Sequence, residues 1–373
     1  MENKVLHVSR ELGDDWAQLI GRAPHTASQR WLSFGQSRVP ESLTFRLVSP
    51  GGTDLAMRGL IQQEPGSRPF NDPYLIASGQ ATQDGLAVTG PHPWQTRRAQ
   101  EVFPSLVMMY PNYDAFPVGP LAADSGALAS FADQVGDWAR RQGFRSVTYL
   151  YLTPEADALR AVLRDKGYDV FPLAARSNMT VTWSDIPEYL AQLPRKRRGE
   201  VRRELRALEA AGVRVRPRPL APEEPGLVRL RSQLMYKYAS VADEQRERHW
   251  FARVWELFGD DATVFVAEHA ASPIQFTLFV QDGAVWTPLL TGTDYAHGAS
   301  RLAYFATAFY SPAALAPQLR IRRINYGLGA SEAKRHRGCH AVPLYAAVTC
   351  GHPTGPRSGE GSTHSTQGES HAE

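Results

Sequence analysis

Seven cations fall within twelve residues of this chain: Arg195, Lys196, Arg197, Arg198, Arg202, Arg203 and Arg206, against only Glu200 and Glu204. Guanidinium groups pair phosphate oxygens two at a time, so such a run suits a polyanion or a nucleotide. Val201, Leu205 and Leu208 recur at i, i+4 and i+7. That spacing predicts a helix whose apolar stripe leaves the arginines on the open face. A solvated helix face accounts for the same run without any partner, but the net +5 over these residues favours the polyanion. A second basic cluster, Lys334, Arg335, His336 and Arg337, ends a short helix, where cations complement the helix dipole. His336, Cys339 and His340 include metal-ligating types, yet no second ligand cluster accompanies them, and packing or a polar surface explains them. Gly327-Leu328-Gly329-Ala330-Ser331-Glu332 follows a strand and opens a helix, as a dinucleotide loop does. It lacks the third glycine, and too little chain follows for a βαβ unit. No G-x-S-x-G nucleophile turn occurs.

The elements that must position these groups follow from composition and periodicity. At 373 residues, with 43% hydrophobic and 10% aromatic content, the chain suits two domains that each bury a core. The longest apolar runs, 105–110 and 344–348, fall well short of the roughly 18 residues of a membrane span. The opening MENKVLHVSRELGDDW has no apolar segment of a secretory signal. With only Cys339 and Cys350 as thiols, a cytoplasmic protein is expected. The formal charge is +3; the last 23 residues carry −2, so the rest carries +5. Those last residues, 351–373, hold no aromatic, Ile, Leu, Val or Met and are expected to be disordered.

Strands are expected at 43–48, 54–62, 105–110, 146–151, 169–172 and 177–183, with helices at 126–142 and 154–166, in a first domain over 1–184. Residues 64–100 read as irregular. A second domain over 185–350 opens with the basic helix at about 195–211 and repeats the same grammar. Helices come first, then an antiparallel meander (262–268, 274–280, 285–291), then strand 322–326, a short helix and strand 342–349. Tyr236, Lys237 and Tyr238 sit on a helix before the meander, lining a groove or, for Tyr236, joining the core.

Two segments carry a family resemblance. EYLAQLPRKRRGEVRRELRALEAAGV resembles the helix opening the second domain of tandem GNAT-fold proteins, the Fem-type aminoacyltransferases and their FemAB-like relatives. INYGLGASEAKRHRGCHAVPLYAAV resembles their final strand–turn–strand, and Trp31 after a paired-helix start fits as well. The resemblance implies an α/β fold of two tandem GNAT-like domains, each a mixed, mainly antiparallel sheet flanked by helices. It implies acyl transfer from aminoacyl-tRNA, less often from acyl-CoA, to the amine or hydroxylamine of a small-molecule or peptide acceptor. Such enzymes serve cell-wall or natural-product (antibiotic) biosynthesis and use aminoacyl-tRNA as co-substrate, with no further cofactor. An aminoacyl ester is already activated, so orientation, a proton acceptor and oxyanion stabilisation suffice. On this resemblance Asp294 and Tyr295, just past a strand, and Tyr326, at a strand end, are the catalytic candidates. Lys334, Arg335 and Arg337 join the basic helix as phosphate contacts, and Tyr236, Tyr238, Asn71 and Tyr74 are expected at the acceptor. Acetyltransferases of this fold hold the CoA pyrophosphate on a Q/R-x-x-G-x-G/A loop. The equivalent stretches here, TGTDYAHGASRLAYF and PVGPLAADSGALASF, lack it, which favours tRNA over CoA. A non-catalytic RNA-binding protein of the same fold is the remaining alternative.

Overall fold

Strand-forming and helix-forming stretches alternate along the chain in two rounds. The computed structural model describes residues 4–21, 23–38, 41–66, 69–81, 86, 92–239 and 242–351, so nearly all of the tail expected to be disordered lies outside the described residues. The first round comprises β1 (Val5–Ser9), α1 (Trp16–Ile20), α2 (Gln29–Arg38), β2 (Ser42–Ser49), β3 (Gly52–Gln62), α3 (Pro73–Ala77), α4 (Ala99–Val102), β4 (Ser105–Met108), α5 (Ser125–Arg141), β5 (Ser146–Leu152), α6 (Asp157–Asp165) and β6 (Asp169–Thr180). The second comprises α7 (Ile186–Gln192), α8 (Arg195–Ala210), β7 (Arg214–Pro219), α9 (Pro225–Ala239), α10 (Glu244–Phe258), β8 (Ala262–His269), β9 (Ser272–Asp282), β10 (Val285–Thr293), α11 (Ser300–Phe305), a π-helical turn (Ala306–Tyr310), α12 (Ser311–Leu315), β11 (Arg323–Asn325), α13 (Ser331–Arg335) and β12 (His340–Cys350).

Local chemistry explains the boundaries. Asp124 caps α5 by accepting from the Ala127 N–H, and Leu128, Phe131 and Val135 form its buried stripe. Asp243 caps α10 in the same way, and Gly259 at φ 48° ends it. The two strands expected at 169–172 and 177–183 form one strand, β6. Pro172 fits inside it because β12 shifts register between Leu344 and Tyr345, opposite the proline. β1, α3 and α4 were not anticipated, since each is short and carries little periodicity. Among the described residues no helix is long and apolar enough to cross a membrane.

The twelve strands of the described residues form one sheet, ordered β1-β2-β3-β4-β5-β12-β6-β11-β10-β9-β8-β7. Only β4–β5 and β10–β11 run parallel. The two rounds are thus mirrored about the centre, with their last strands exchanged. β12 pairs with β5 of the first round, and β6 pairs with β11 of the second. Accordingly Leu344, Ala346, Ala347 and Val348 join the core of the first round. The second round buries a core on each face of its sheet. One, under α7, α8 and α11–α12, includes Phe279, Trp286, Ile324 and Tyr326; the other, under α9 and α10, includes Phe276, Leu278 and Leu290.

Helix α2 belongs to the first round in sequence but to the second in packing. Trp31 is fully buried, its ring 5.3 Å from that of Phe258, and Phe34 meets Trp250 at 5.8 Å. Arg30 pairs with Asp261 at 2.5 Å beside them. Trp31→Ala is expected to lower stability by about 3–5 kcal/mol, measured by chemical denaturation, because the vacated volume lies between two rigid layers.

His25 lies at the same seam, its Nε2 3.0 Å from Thr287 Oγ1. Burial, then the charges of Arg323 and Arg176, lower its pKa to about 3. In the unfolded chain a histidine takes up its proton near pH 6.5. Below that pH the unfolded state therefore binds more protons than the native one, and stability falls as pH falls. Between pH 8 and pH 5 this one group should remove about 2 kcal/mol. His25→Gln should flatten that part of the stability–pH curve.

Candidate active site

Strands β10 and β11 are hydrogen-bonded neighbours for only two positions, Val285 opposite Arg323 and Trp286 opposite Ile324. Beyond them they part. On β10, Pro288 has no N–H to give, and the register against β9 slips between Pro288 and Leu290. This leaves Leu289 outside the ladder. On β11, Asn325 ends the strand by accepting from the Gly327 N–H, while the Tyr326 N–H turns to Ser177 O. The divergence opens a pocket of about 370 Å³, lined by Pro288–Thr291 on one side and Tyr326, Leu328, Gly329 and Ala330 on the other. Arg231, Thr277, Tyr304, Ala308 and Lys334 complete the wall.

The corresponding parallel pair in the first round is closed. β4 and β5 match over four positions, and Ala115 then bridges to Leu152. The rings of Phe70, Tyr113 and Tyr151, the last on β5, pack against one another in tilted pairs with centroids 5.1–5.4 Å apart. Among the described residues the β4–β5 pair therefore stays closed, and the open split lies in the second round.

Several side chains hold the open pocket in shape. The loop after β11 uses left-handed backbone at Gly327 (φ 66°), Gly329 (φ 73°) and Ala330 (φ 46°). Its carbonyls converge on Lys334, whose ammonium donates to Tyr326 O at 2.8 Å, Leu328 O at 2.7 Å and Gly327 O at 3.4 Å. Tyr326 lies against Phe309 at 4.6 Å and donates its hydroxyl to Ala308 O, a carbonyl of the π-helical turn. Arg231 reaches from α9 to Thr291 O at 3.2 Å and to Glu247 at 3.3 Å. Tyr304 is half-buried, and burial raises its pKa. Its hydroxyl has no hydrogen-bond partner among the described residues.

A second cleft, about 700 Å³ and mainly apolar, lies one turn along α9 from Arg231. Ser232, Gln233, Tyr236, Lys237, Asp294 and Tyr295 line it. Here the structure gathers three residues singled out in the sequence: Asp294, Tyr295 and Tyr236. Tyr238 is 73% exposed and stands close enough to Tyr295 to influence its charge, and Lys237 Nζ sits 3.7 Å from the Tyr295 ring centre. Burial and Tyr238 push the Tyr295 phenol up to about 12, so at neutral pH it stays protonated and is a hydrogen-bond donor rather than a base. Tyr304 of the split lies within electrostatic range of both Tyr238 and Tyr295.

The basic helix meets the wall of the split. His336, two residues after Lys334, has its Nε2 2.9 Å from Arg197 Nη2. Val201 and Leu208 are buried and Leu205 is partly buried, as the stripe requires. Arg195, Lys196, Arg202, Arg203 and Arg206 are exposed, Arg198 is half-buried, and none of the six has an ion pair among the described residues. Arg197 is paired with Glu200. Four of the cations occupy the first turn, where the helix dipole already presents positive charge and Pro194 supplies no side-chain cap.

Three expectations need correction. Lys334 and Arg337 are buried rather than offered to a phosphate. Lys334 is held by the three loop carbonyls, and Arg337 lies 3.4 Å over the Phe305 ring, near Glu204 and bonded to Ala333 O. Of that cluster Arg335 alone is exposed. Tyr326 reaches the pocket with its ring only, because its hydroxyl is committed to Ala308 O. Asn71 and Tyr74 line neither opening. They flank Asp72, the cap of α3, and the Tyr74 hydroxyl donates to Arg97 O. Sequence reading passed over Arg231, Thr277, Tyr304 and Leu289. Their common property, facing a gap between strands, has no local signature. Among the described residues no group of three His, Cys, Asp or Glu side chains is placed to hold a metal, and burial pushes the Cys339 thiol up to about 12.

No protein-family model matches the sequence, and a search of curated proteins returns no match. Solved structures do match. FemX superposes with a TM-score of 0.58 at 9% identity, covering 92% of this chain and 96% of FemX. L-PGS from Bacillus licheniformis superposes at 0.52 and 11% identity, covering 90% of each chain. A conserved protein of unknown function from Bacteroides thetaiotaomicron superposes at 0.54 and 13%, covering 93% of this chain and 99% of that one. At these identities the likeness is one of fold. The chain has the mixed α/β tandem GNAT fold, with a mostly antiparallel sheet and helices on its faces.

Proposed function

We propose that the protein is an acyltransferase of the aminoacyl-tRNA-dependent kind, moving an aminoacyl group to the amine of a small acceptor. The observation that carries this reading is the open β10–β11 split beside a helix whose exposed cations form no ion pair among the described residues. The split accommodates the aminoacyl ester, and α8 holds the phosphates of the nucleic acid that bears it. FemX and L-PGS share the fold, and the Fem-type resemblance of the two sequence segments points the same way.

In this reading the neutral amine attacks the ester carbonyl carbon and a tetrahedral oxyanion forms. The bond from that carbon to the ribose oxygen then breaks, and the amine proton passes to the departing oxygen. In this reading the Leu289 N–H, left out of the β9 ladder by the bulge on the pocket wall, donates to the oxyanion. Tyr304, on the pocket wall and with no hydroxyl partner among the described residues, relays the proton. Tyr236 and Tyr295 offer aromatic surface at the neighbouring cleft. The natural-product and cell-wall settings differ only in the acceptor, and the cytoplasm supplies charged tRNA to both.

The test is transfer from a mixture of charged tRNAs to a panel of amines. Product that is abolished by RNase supports the reading. Product that survives RNase, or that acetyl-CoA supports, replaces tRNA by acyl-CoA as donor. Salt-sensitive RNA binding without any turnover leaves a binding protein.

A further inference from the structure

Adjacent residues on the two parting strands face opposite sides of the sheet. On β10, Pro288 lines the split, and its neighbour Thr287 meets His25 on the other face. On β11, Tyr326 lines the split, while Asn325 and Arg323 line a second cavity. Register confirms the sidedness. Asn325 lies opposite Asn178, and Arg176 opposite Val342, and all four border this cavity; Ile324 and its partner Met179 lie in the core on the opposite face. The two cavities therefore flank the vertex of the split from its two sides.

The second cavity is small and built of polar groups. Its enclosed space is about 20 Å³, with a mouth at the exposed Pro154 and Glu155. His25 Nδ1, Asn178 Oδ1 and Arg323 Nε are buried around it without hydrogen-bond partners. Arg176 is held by Asp114 and by Tyr113 O at 2.8 Å. Arg323 forms no ion pair among the described residues, and Glu155 at the rim is the one acid of the lining. A single water would meet the three orphan atoms but would leave the charge of Arg323 uncompensated. Asn178 can present either its carbonyl or its amide nitrogen by a half-turn of its side chain. The space suits a flat two-oxygen anion, which a guanidinium binds well.

We propose that this cavity binds the carboxylate of the acceptor, and that the acceptor is a small amino acid whose amine reaches the vertex from the face opposite the donor. Arg323 is the principal partner, with Asn178, Asn325 and Arg176 around it. The purpose of the site rests on the acyl-transfer reading, but binding at it does not.

The experiment is calorimetry and thermal shift on the full chain, without donor, using glycine, β-alanine and acetate as probes. Glycinamide, inorganic phosphate and chloride serve as controls. Carboxylates should bind and raise the melting temperature, and glycinamide should not. Arg323→Met should weaken glycine binding at least tenfold, with Arg323→Lys retaining part of it and Arg202→Glu, on the surface of α8, leaving it unchanged. If Arg323→Met fails to fold, Val342→Phe, at a half-buried position in the cavity wall, should block binding in a folded protein. Equal responses to chloride and carboxylates, or none, would overturn the proposal, as would binding indifferent to Arg323 and Val342. If carboxylates bind but charged tRNA yields no product, the acyl-transfer reading falls and the site stands. If product forms equally from amines with and without a carboxylate, the site has no role in choosing the acceptor.

Discussion

The variant Arg195→Glu, Lys196→Glu, Arg202→Glu, Arg203→Glu should lose transfer from charged tRNA by roughly 100- to 1,000-fold at physiological salt. Its melting temperature should stay within a degree or two of the parent's. Both halves of that expectation come from the same observation: the four side chains are exposed and have no ion pair among the described residues, so nothing in the fold depends on them. Each phosphate contact also releases counterions. The slope of log affinity against log salt should therefore flatten by about 3, near 0.7–0.9 per cation removed. Binding measured from 50 to 300 mM salt decides the matter. A parental slope in the variant would mean that α8 is only a solvated face.

Lys334→Met is expected to have the second largest effect, by another route. The ammonium makes short bonds to Tyr326 O and Leu328 O, at 2.8 and 2.7 Å, and a longer one to Gly327 O. Removing it leaves those carbonyls unsatisfied in a loop already strained at Ala330 (φ 46°). Bonds to a charged group contribute about 1.5–3 kcal/mol each, and the loss is only partly made up by water, so stability should fall by roughly 2–4 kcal/mol. Because the loop is one wall of the split, kcat/KM should fall by about 100-fold or more even well below the melting temperature. Lys334→Arg should rescue little, since a planar fork cannot meet three carbonyls that converge on a point. A variant with parental kcat/KM and lowered stability alone would show that the loop does not shape the pocket.

What could be read from sequence divides by the range of the interaction. Helix α8 was legible because Val201, Leu205 and Leu208 encode their own face within two turns. The two rounds were legible because strand and helix periodicities repeat. The split was not. It exists because Pro288 and the register slip send β10 one way while Asn325 turns β11 another, and the strands are separated by some thirty residues. Lys334 and Arg337 were expected to face phosphate because they belong to a basic cluster that ends a helix, where cations complement the dipole. A loop of carbonyls and the ring of Phe305 reverse that rule, and neither contact shows in composition. Tyr295 and Asp294 were recognised, but as parts of the reacting centre; the fold sets them in the neighbouring cleft.

The exchange of β6 and β12 bears on how the chain is made. β12 lies between β5 and β6, whose residues are synthesised some 160–200 positions earlier. A nascent chain emerging from the ribosome must therefore hold β5 and β6 apart, with open edges and part of the first core uncovered, until His340–Cys350 is out. Contacts of such separation form late and slowly. Exposed strand edges in the waiting intermediate invite pairing with other chains. The protein should thus depend on chaperones during synthesis, and an mRNA truncated before codon 340 should give an insoluble product rather than one folded half.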